Sequence, residues 1–411
     1  MPSYSRAAVT PSRSTTSSRT PTEASDRRAV PAPEQAREWL SLVLVDGLGP
    51  KRIAGLEERF ASPIEWHGAD DRTLRNCGLS DRHIEQLRRP DEERLARCLE
   101  WLSGERRWLI TRDDALYPPL LKRIPDAPVA LFVAGEPDTL VAPQIAIVGS
   151  RNATSGGLDH ARSFAKTLAR AGFVITSGLA EGVDGMAHAG CLDAGGATIA
   201  VAGTGLDQVY PARHRDLAGR IARSGALVSQ FPPGIGPLKG NFPARNRIIS
   251  GMSLGVLVVE AGIKSGSLIT ARLANEQGRE VFAIPGSVHN PLSRGCHRLI
   301  RDGARLVETA GEVVEDLAPL ARELAGEIEN LLEPRPTGSP AGLEESGESP
   351  HMESDPEYEQ LLQAVGFDPT PFDRIIERSQ LTPAAVSSML LMLELDGKVS
   401  AHAGGRYSRN A

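Results

Sequence analysis

Apolar residues in the middle of the chain fall into short continuous runs that are separated by longer amphipathic stretches. Because the apolar positions do not alternate with polar ones, each run predicts a strand that is buried on both faces. Strands that alternate with helical stretches predict a Rossmann-like α/β domain, whose wound sheet is mainly parallel and carries helices on both faces. The runs are IAIVG (145–149), FVITSG (173–178), TIAVAG (198–203), ALVSQ (226–230), GVLVVE (255–260) and VFAIPG (281–286).

We expect this domain to span residues 108–332. Its first part, residues 109–140, contains prolines and short apolar pieces. Such a stretch is expected to add an edge strand to the sheet or to lead into it.

A helical apolar pattern covers residues 34–107 and predicts a small helical domain with its own core. The segment LVDGLGPKRIAGL (44–56) places a Gly47-Leu48-Gly49 turn between two helical stretches. It resembles a helix-hairpin-helix motif, in which backbone N–H groups at a helix start face a DNA phosphate. NCGLSDRHIEQL (76–87) is a second, weaker copy. Hairpins that only pack against the rest of the domain are the alternative.

Two low-complexity segments lie outside the predicted domains, and a third unit follows the second of them. Residues 1–33 predict a disordered tail, and residues 333–356 predict a flexible linker that is rich in Pro, Gly, Ser and Glu. Residues 357–411 are typical of a winged helix, with Thr382 capping the second helix, Pro383 in its first turn and two short strands about Gly404-Gly405. Binding in the DNA major groove is one expectation. Protein binding is the other, because the second helix carries few cations.

Composition indicates a cytoplasmic protein. The four cysteines are scattered and form no Cys-x-x-Cys pair, which argues against a zinc site and a disulfide framework and fits a reducing compartment. No apolar run approaches the roughly 20 residues that span a bilayer, so we expect no membrane contact.

A cationic segment stands out because the chain as a whole has a formal net charge of −6. Residues 217–259 contain no Asp or Glu, and the centre of this segment reads KGNFPARNRIIS (239–250). Cations bind phosphates, and an aromatic ring offers a surface on which a base stacks. A solvated loop with a few arginines is the alternative.

Polar, glycine-rich segments follow the predicted strands. Ligands of a wound parallel sheet bind beyond the carboxyl ends of its strands, and glycines and helix N-termini there offer unpaired N–H groups to anions. The usual nucleotide signatures, G-x-x-x-x-G-K-[ST] and G-x-G-x-x-G, are missing, so no cofactor is expected. The segments are GSRNAT (149–154), SGLAEG (177–182), GTGLDQVYP (203–211), EAGIKSGSLITA (260–271) and PGSVHN (285–290).

These segments, in this order, resemble the DNA-processing protein A (DprA/Smf) family over most of residues 112–307. The pairing of RNRIIS with KSGS-x-x-TA is the most specific part of the resemblance. It implies a nonenzymatic, sequence-tolerant single-stranded DNA-binding protein that forms a homodimer. Such a protein protects incoming DNA in natural transformation and loads the RecA recombinase onto it. Glu181, His214 and Gln230 depart from the usual family pattern.

The resemblance also implies roles for individual residues. Arg151 is expected to hold a phosphate, and Lys239 and Phe242 correspond in spacing to a lysine and an aromatic DNA contact. At least one of Arg245 and Arg247 is expected to face the strand. The full set of expected DNA contacts is Gly149, Ser150, Arg151, Lys239, Phe242, Arg245, Asn246, Arg247, Ser265, Gly266, Ser267 and Thr270.

Two other functions remain open from the residues alone. Asp184 and His188 are spaced i, i+4, and with Glu260 they would suit a hydrolase of the nucleotide phosphoribohydrolase type. Alternatively, Asp184 caps or braces the neighbouring glycine turn and His188 is a partly buried, hydrogen-bonded histidine. We favour this second interpretation, because PGSVHN does not reproduce the PGGxGT-x-x-E motif of those enzymes.

A scaffold that binds partners through its winged helix and a dimer surface is the other possible function. Its candidate dimer contacts, residues of a kind that more often belongs to the core, are Leu299, Ile300, Leu306 and Val307.

Overall fold

The computed structural model divides the chain into two compact units, residues 1–335 and residues 336–411. It describes residues 33–60 and 64–332 of the first unit, and 356–366, 370–379, 381, 386, 389–390, 393, 398–402 and 406–409 of the second. The predicted tail and linker lie outside the described residues, apart from Pro33 and Pro356, which begin helices. The predicted Thr382-Pro383 cap and the Gly404-Gly405 turn also lie outside them.

Short helices form the N-terminal part of the first unit, as the apolar pattern predicts. Their core buries Trp39, Trp66 and Trp101 and continues into the neighbouring sheet through Phe132. Trp101 and Phe132 meet edge to face, with ring centroids 5.8 Å apart. The helices are α1 (Pro33–Val43), α2 (Pro50–Glu57), α3 (Ile64–Gly68), α4 (Asp71–Asn76), α5 (Asp81–Arg88) and α6 (Glu92–Leu102).

Two glycine turns join helices of this part in the order that the sequence predicts. Gly47 lies between α1 and α2, and Gly78 between α4 and α5, with φ angles of 75° and 89° that favour glycine. The Arg52 guanidinium donates to the carbonyl oxygens of both glycines, at 3.2 and 3.1 Å. One side chain therefore ties the two hairpins together, whereas phosphate binding by either turn stays a prediction.

A nine-stranded sheet forms the centre of the first unit within the described residues. The six predicted strands are confirmed as β3 to β8, and the predicted edge contribution of residues 109–140 is confirmed as β1 and β2. The strands are β1 (Arg107–Thr111), β2 (Ala130–Gly135), β3 (Gln144–Val148), β4 (Val174–Ser177), β5 (Thr198–Val201), β6 (Ala226–Ser229), β7 (Gly255–Val258), β8 (Glu280–Ala283) and β9 (Arg305–Leu306).

The strand order is β1-β2-β6-β5-β4-β3-β7-β8-β9. Pairing is parallel from β6 to β9, and antiparallel where β1 joins β2 and where β2 joins β6. The chain builds outward from β3 in one direction through β4 and β5, and then resumes on the other side of β3 with β7. The order therefore reverses between β3 and β7, which is where ligands bind in wound sheets.

Helices cover both faces of the sheet and explain the continuous apolar runs. Ile145 and Ile147 point into one core, while Ala146 and Val148 point into the other. The helices are α7 (Pro119–Lys122), α8 (Ser155–Arg170), α9 (Val183–Asp193), α10 (Arg215–Ser224), α11 (Asn241–Met252), α12 (Ser267–Glu276), α13 (Arg294–Arg301) and α14 (Ala310–Leu332).

The candidate dimer contacts differ in exposure. Val307 is fully buried in the core, and Leu299 and Ile300 pack partly against the other core. Leu306 lies exposed on the edge strand β9. Within the residues that the structure describes, no helix combines the length and the apolar character needed to cross a bilayer.

The second unit contains α15 (Pro356–Val365), β10 (Thr370–Pro371), α16 (Phe372–Ser379), β11 (Val399–His402) and β12 (Arg406–Arg409). Its strands pair antiparallel in the order β10-β12-β11. Leu361, Ile375 and Val399 are among the residues of its own apolar core. Helices backed by a short antiparallel wing agree with the predicted winged helix.

Candidate functional site

A cleft of about 570 Å³ opens at the carboxyl ends of β3 and β7, where the strand order reverses. The glycine loop after β3, the loop after β7 and the first turns of α11 and α12 line it. The cationic segment is thus a helix from Asn241 onward rather than a loop. The cleft brings together these expected contacts: Gly149, Ser150, Arg151, Phe242, Arg245, Asn246, Ser265, Gly266, Ser267 and Thr270.

Arg151 and Phe242 meet at the mouth of this cleft. The Arg151 side chain is exposed, and its guanidinium carbon lies 5.7 Å from the centroid of the Phe242 ring. Phe242 also packs against Gly203, where a Cβ would lie 3.0 Å from the ring. Arg151 and Phe242 are 91 positions apart in the sequence. In the folded protein they place a cation next to a flat apolar surface.

Tyr210 is a second aromatic residue at this mouth and was missed by the sequence analysis. Its ring centroid lies 5.7 Å from that of Phe242, and the residue is 46% exposed. A smaller cleft of about 200 Å³ lies beside these two rings and shares Arg151 and Arg245 with the larger one. The signal in the sequence was an aromatic residue inside the polar segment GTGLDQVYP, beyond the end of β5.

Arg245 lines both clefts, but it is buried, with 6% of its surface exposed. Its Nη2 donates to the Gly178 carbonyl oxygen at 2.9 Å. The Gly178 N–H in turn donates to the Asp184 carboxylate at 3.1 Å, as does the Ala180 N–H at 3.3 Å. Burial raises the pKa of Asp184, and the nearby Arg245 charge acts in the opposite direction. The two side chains thus hold the loop after β4 through the N–H and the carbonyl oxygen of one residue, Gly178.

Arg247 points to a different part of the molecule. Its guanidinium bonds to the Asp126 carbonyl oxygen and the Gln230 side chain. It borders a separate cleft of about 420 Å³ that the Gly47–Gly49 turn also lines. Lys239 is exposed in the loop just before α11 and does not line the main cleft. Of the two arginines, Arg245 alone therefore reaches the cleft, and a DNA contact by Arg247 or Lys239 remains a prediction.

The start of α12 forms the wall opposite α11. The Ser265 and Ser267 hydroxyl oxygens lie 2.7 Å apart, and the Ser267 N–H points to Ser265 Oγ at 3.4 Å. Ser267 and Thr270 are buried, whereas Gly266 and Lys264 are exposed to the cleft. Lys264 adds a cation that is not among the expected contacts, although it belongs to the quoted KSGS segment.

Glu260 fixes the geometry of these loops. Its carboxylate accepts hydrogen bonds from the Thr154 N–H at 2.8 Å, the Thr154 hydroxyl at 2.7 Å and the Asn290 amide at 3.2 Å. Thr154 also caps α8 by accepting from the Gly157 N–H. One buried carboxylate therefore joins the loops that follow β3, β7 and β8.

His188 is fully buried on α9 against strands β4 and β5 and is not exposed to the cleft. Its Nδ1 lies 2.7 Å from Thr198 Oγ1, whose own hydrogen is donated to the Ile175 carbonyl oxygen at 2.6 Å. Nδ1 is therefore the donor in this bond. Burial lowers the pKa of His188 to about 3, so the ring is neutral at neutral pH.

The contacts of Asp184, His188 and Glu260 favour structural roles for all three. Each bonds to different neighbours, and among the described residues neither carboxylate is hydrogen-bonded to His188. This arrangement agrees with a braced turn and with a buried histidine that is hydrogen-bonded through Nδ1, rather than with a shared acid–base set.

The neutral His188 predicts acid sensitivity of the fold. An unfolded histidine titrates near pH 6.5, and protons bind the unfolded chain but not the folded one between that pH and about 3. The stability that this residue contributes is therefore complete above about pH 6.5 and is lost as the pH falls. Between about pH 7 and pH 5.5 we expect the free energy of unfolding to decrease by about 1 kcal/mol through His188.

Urea unfolding at the two pH values measures this effect. His188→Asn keeps a donor for Thr198 and should remove about 1 kcal/mol of the pH dependence. The same change at the exposed His160 is the control and should leave the dependence unaltered. An undiminished pH dependence in His188→Asn would contradict the assignment of a buried neutral ring.

Comparison with known families matches residues 108–318 to the family described as DNA recombination-mediator protein A. Residues 34–100 match the SMF/DprA SAM domain, and residues 345–405 match the DprA winged helix domain. The matches follow the order of the helical part, the wound sheet and the C-terminal unit.

Individual relatives match between about half and nine tenths of the chain. Protein Smf of Escherichia coli is 43% identical over 369 residues, which are 89% of this chain and 94% of that protein. DNA processing protein DprA of Streptococcus pneumoniae is 48% identical over 203 residues, 49% of this chain and 72% of that protein. The X-ray structure of the Streptococcus pneumoniae DprA has a TM-score of 0.61 at 37% identity and covers 68% of this chain and 97% of that chain.

Proposed function

The chain belongs to the DprA/Smf family, and on that premise we propose that it binds single-stranded DNA in the main cleft without cleaving it. Arg151 binds a phosphate at the cleft mouth, and an unpaired base stacks on Phe242. Lys239 and Lys264 extend the positive charge along the strand, and the N-terminus of α12 offers further donors. Arg245 acts by fixing the loop after β4 rather than by direct contact.

The observation that carries this proposal is the placement of Arg151 over Phe242, with 5.7 Å between the guanidinium carbon and the ring centroid. Sequence-tolerant single-strand binding needs a cation for the backbone and an aromatic face for the base. Duplex DNA presents its phosphates but hides its base faces, so a site of this kind favours unpaired strands.

A comparison of labelled single- and double-stranded oligonucleotides at low and high salt tests this function. We expect the single strand to bind more tightly at both salt concentrations and to stay intact after long incubation. Equal affinity for duplex DNA would contradict the proposal. Release of free base from nucleoside monophosphates, lost in Glu260→Gln, would instead favour a hydrolase.

Wider roles follow from the family premise. We propose that the protein acts in the cytoplasm as a homodimer, protects single strands in transformation or recombination, and loads RecA onto them. The exposed Leu306 on edge strand β9 is compatible with a contact between copies. Light scattering tests the dimer. The loading of RecA is tested by measuring its DNA-dependent ATP hydrolysis on strands that are precoated with another single-strand-binding protein.

Removing two cations is expected to change the salt dependence of binding. Each phosphate contact to a single strand contributes about 0.7 to the slope of log affinity against log salt concentration. If Arg151 and Lys239 each hold a phosphate, the Arg151→Ala/Lys239→Ala variant should have a slope shallower by about 1.4 and bind severalfold more weakly. Fluorescence titration over a salt series measures both quantities.

The matched control is Lys122→Ala/Arg170→Ala, which removes the same charge from exposed positions on α7 and at the C-terminal end of α8. The control should retain the original slope. Equal slopes for the two double variants would show that the phosphates bind elsewhere.

A further inference from the structure

The smaller cleft beside Phe242 has the form of a pocket for a single base. Its volume is about 200 Å³, less than half that of the main cleft. Phe242 and Tyr210 supply aromatic surface, and Gly178 and Gly203 let the backbone approach closely. Flat apolar walls with a polar rim are how proteins hold unstacked bases of single strands.

The polar rim of this cleft carries a carboxylate. Glu181 lines the cleft, and its side chain is 36% exposed. Its Oε1 lies 3.0 Å from Nε of Arg213, which is largely exposed. Asp184 is also near, but it faces the Gly178 and Ala180 N–H groups. Glu181 therefore presents an acceptor to the cleft, and Arg213, which does not itself line the cleft, places a donor beside that carboxylate.

The bases differ in how they match this pair. A carboxylate only accepts hydrogen bonds, and an arginine only donates them. Guanine presents two adjacent donors, N1–H and the N2 amino group, next to the O6 acceptor. Thymine presents one donor between two acceptors that a carboxylate repels. Adenine and cytosine each present a single amino donor beside an acceptor. Guanine is thus the base whose edge satisfies both carboxylate oxygens and the guanidinium.

We propose that the smaller cleft is a guanine-preferring subsite within the single-stranded DNA path. The base stacks against Phe242 and Tyr210, Glu181 accepts from N1 and N2, and Arg213 donates to O6. Arg151, which borders both clefts, holds the adjoining phosphate. This inference rests on the proposed function and adds a local preference to a binder that otherwise tolerates all sequences.

Fluorescence anisotropy with three strands of equal length tests the subsite: a thymine homopolymer, alternating guanine–thymine and alternating hypoxanthine–thymine. A lithium buffer prevents four-stranded guanine structures. Hypoxanthine lacks only the N2 amino group, so it separates hydrogen bonding from stacking. A bidentate contact discriminates by about tenfold. We therefore expect guanine–thymine to bind about tenfold more tightly than thymine, with hypoxanthine–thymine between them.

Glu181→Gln should reduce the guanine preference to about twofold or less, because an amide cannot accept twice at one edge. The matched control is Glu276→Gln on α12, an exposed carboxylate whose Oε1 also faces an arginine Nε, at 3.5 Å. It should keep the full preference. Equal binding of guanine and hypoxanthine strands, or an unchanged preference in Glu181→Gln, would overturn the subsite while leaving the proposed function intact.

Free nucleotide distinguishes a subsite on the strand path from a separate nucleotide site. Deoxyguanosine monophosphate should bind at least about a hundredfold more weakly than the strand, since it lacks the neighbouring phosphates and bases. Comparable binding would identify a free-nucleotide site and overturn the assignment to a strand. Failure of all three strands to bind would refute the proposed function and the subsite together.

Discussion

Phe242→Ala is expected to weaken binding of single-stranded DNA by about tenfold to a hundredfold. Base stacking on an aromatic side chain contributes about 1–3 kcal/mol, and about 1.4 kcal/mol corresponds to a factor of ten. Phe242 is half-buried at the mouth of the main cleft, beside Arg151 and Tyr210. Its loss removes the stacking face and the surface on which the Arg151 guanidinium lies. Fluorescence titration with a thymine homopolymer measures the change.

A second substitution separates stacking from packing. Phe242→Leu retains apolar contact with Gly203, where the ring now lies close to the backbone, but it removes the aromatic face. If stacking dominates, the leucine variant should lose nearly as much affinity as the alanine variant while keeping the original melting temperature. Wild-type affinity in Phe242→Leu would mean that Phe242 serves only to anchor the helix start.

Arg245→Met is expected to lower the free energy of unfolding by about 3 kcal/mol or more. Removing one partner of a buried pair of charges leaves the other without compensation, which typically costs about 3–5 kcal/mol. Here Asp184 would remain buried with its hydrogen bonds from the Gly178 and Ala180 N–H groups but without the Arg245 charge, and the Gly178 carbonyl oxygen would lose its donor. Urea unfolding at neutral pH measures the difference.

Two variants test whether the buried charge causes this loss. Arg272→Met removes an exposed arginine from α12 whose ion pair, among the described residues, is with Glu276, and such pairs contribute about 0–1 kcal/mol. Adding Asp184→Asn to Arg245→Met should recover part of the lost stability, because no buried carboxylate remains to be compensated. A double variant less stable than Arg245→Met would place the effect in packing rather than in charge.

The central strands could be predicted from the sequence because each is buried on both faces. Burial on both faces requires apolar residues at consecutive positions, which produces a continuous apolar run. Ile145 and Ala146 are adjacent in the chain yet enter different cores, so neither position tolerates a polar residue. The edge strand β9 gives no such signal. Arg305 and Leu306 are both exposed, and only parallel pairing with Phe282 and Ala283 defines them as a strand.

The glycine loops after the strands were also predictable, because parallel strands end at one edge of a sheet. The contacts that Arg245 and Arg247 make were not predictable. Two residues apart on a helix, they point in different directions. Their partners, Gly178 for one and Asp126 and Gln230 for the other, come from distant segments. The sequence alone does not distinguish an arginine that is available to bind a ligand from one whose guanidinium is hydrogen-bonded to a carbonyl oxygen of the protein.

The three loops that Glu260 joins have a consequence for how a strand associates with the cleft. One backbone N–H and two side-chain groups of the other loops donate to this carboxylate, so folding itself restricts the loops. Loops that are already rigid before binding do not lose further conformational entropy when the strand binds. The entropic cost of the encounter therefore falls on the flexible polynucleotide, and the protein acts as a fixed template.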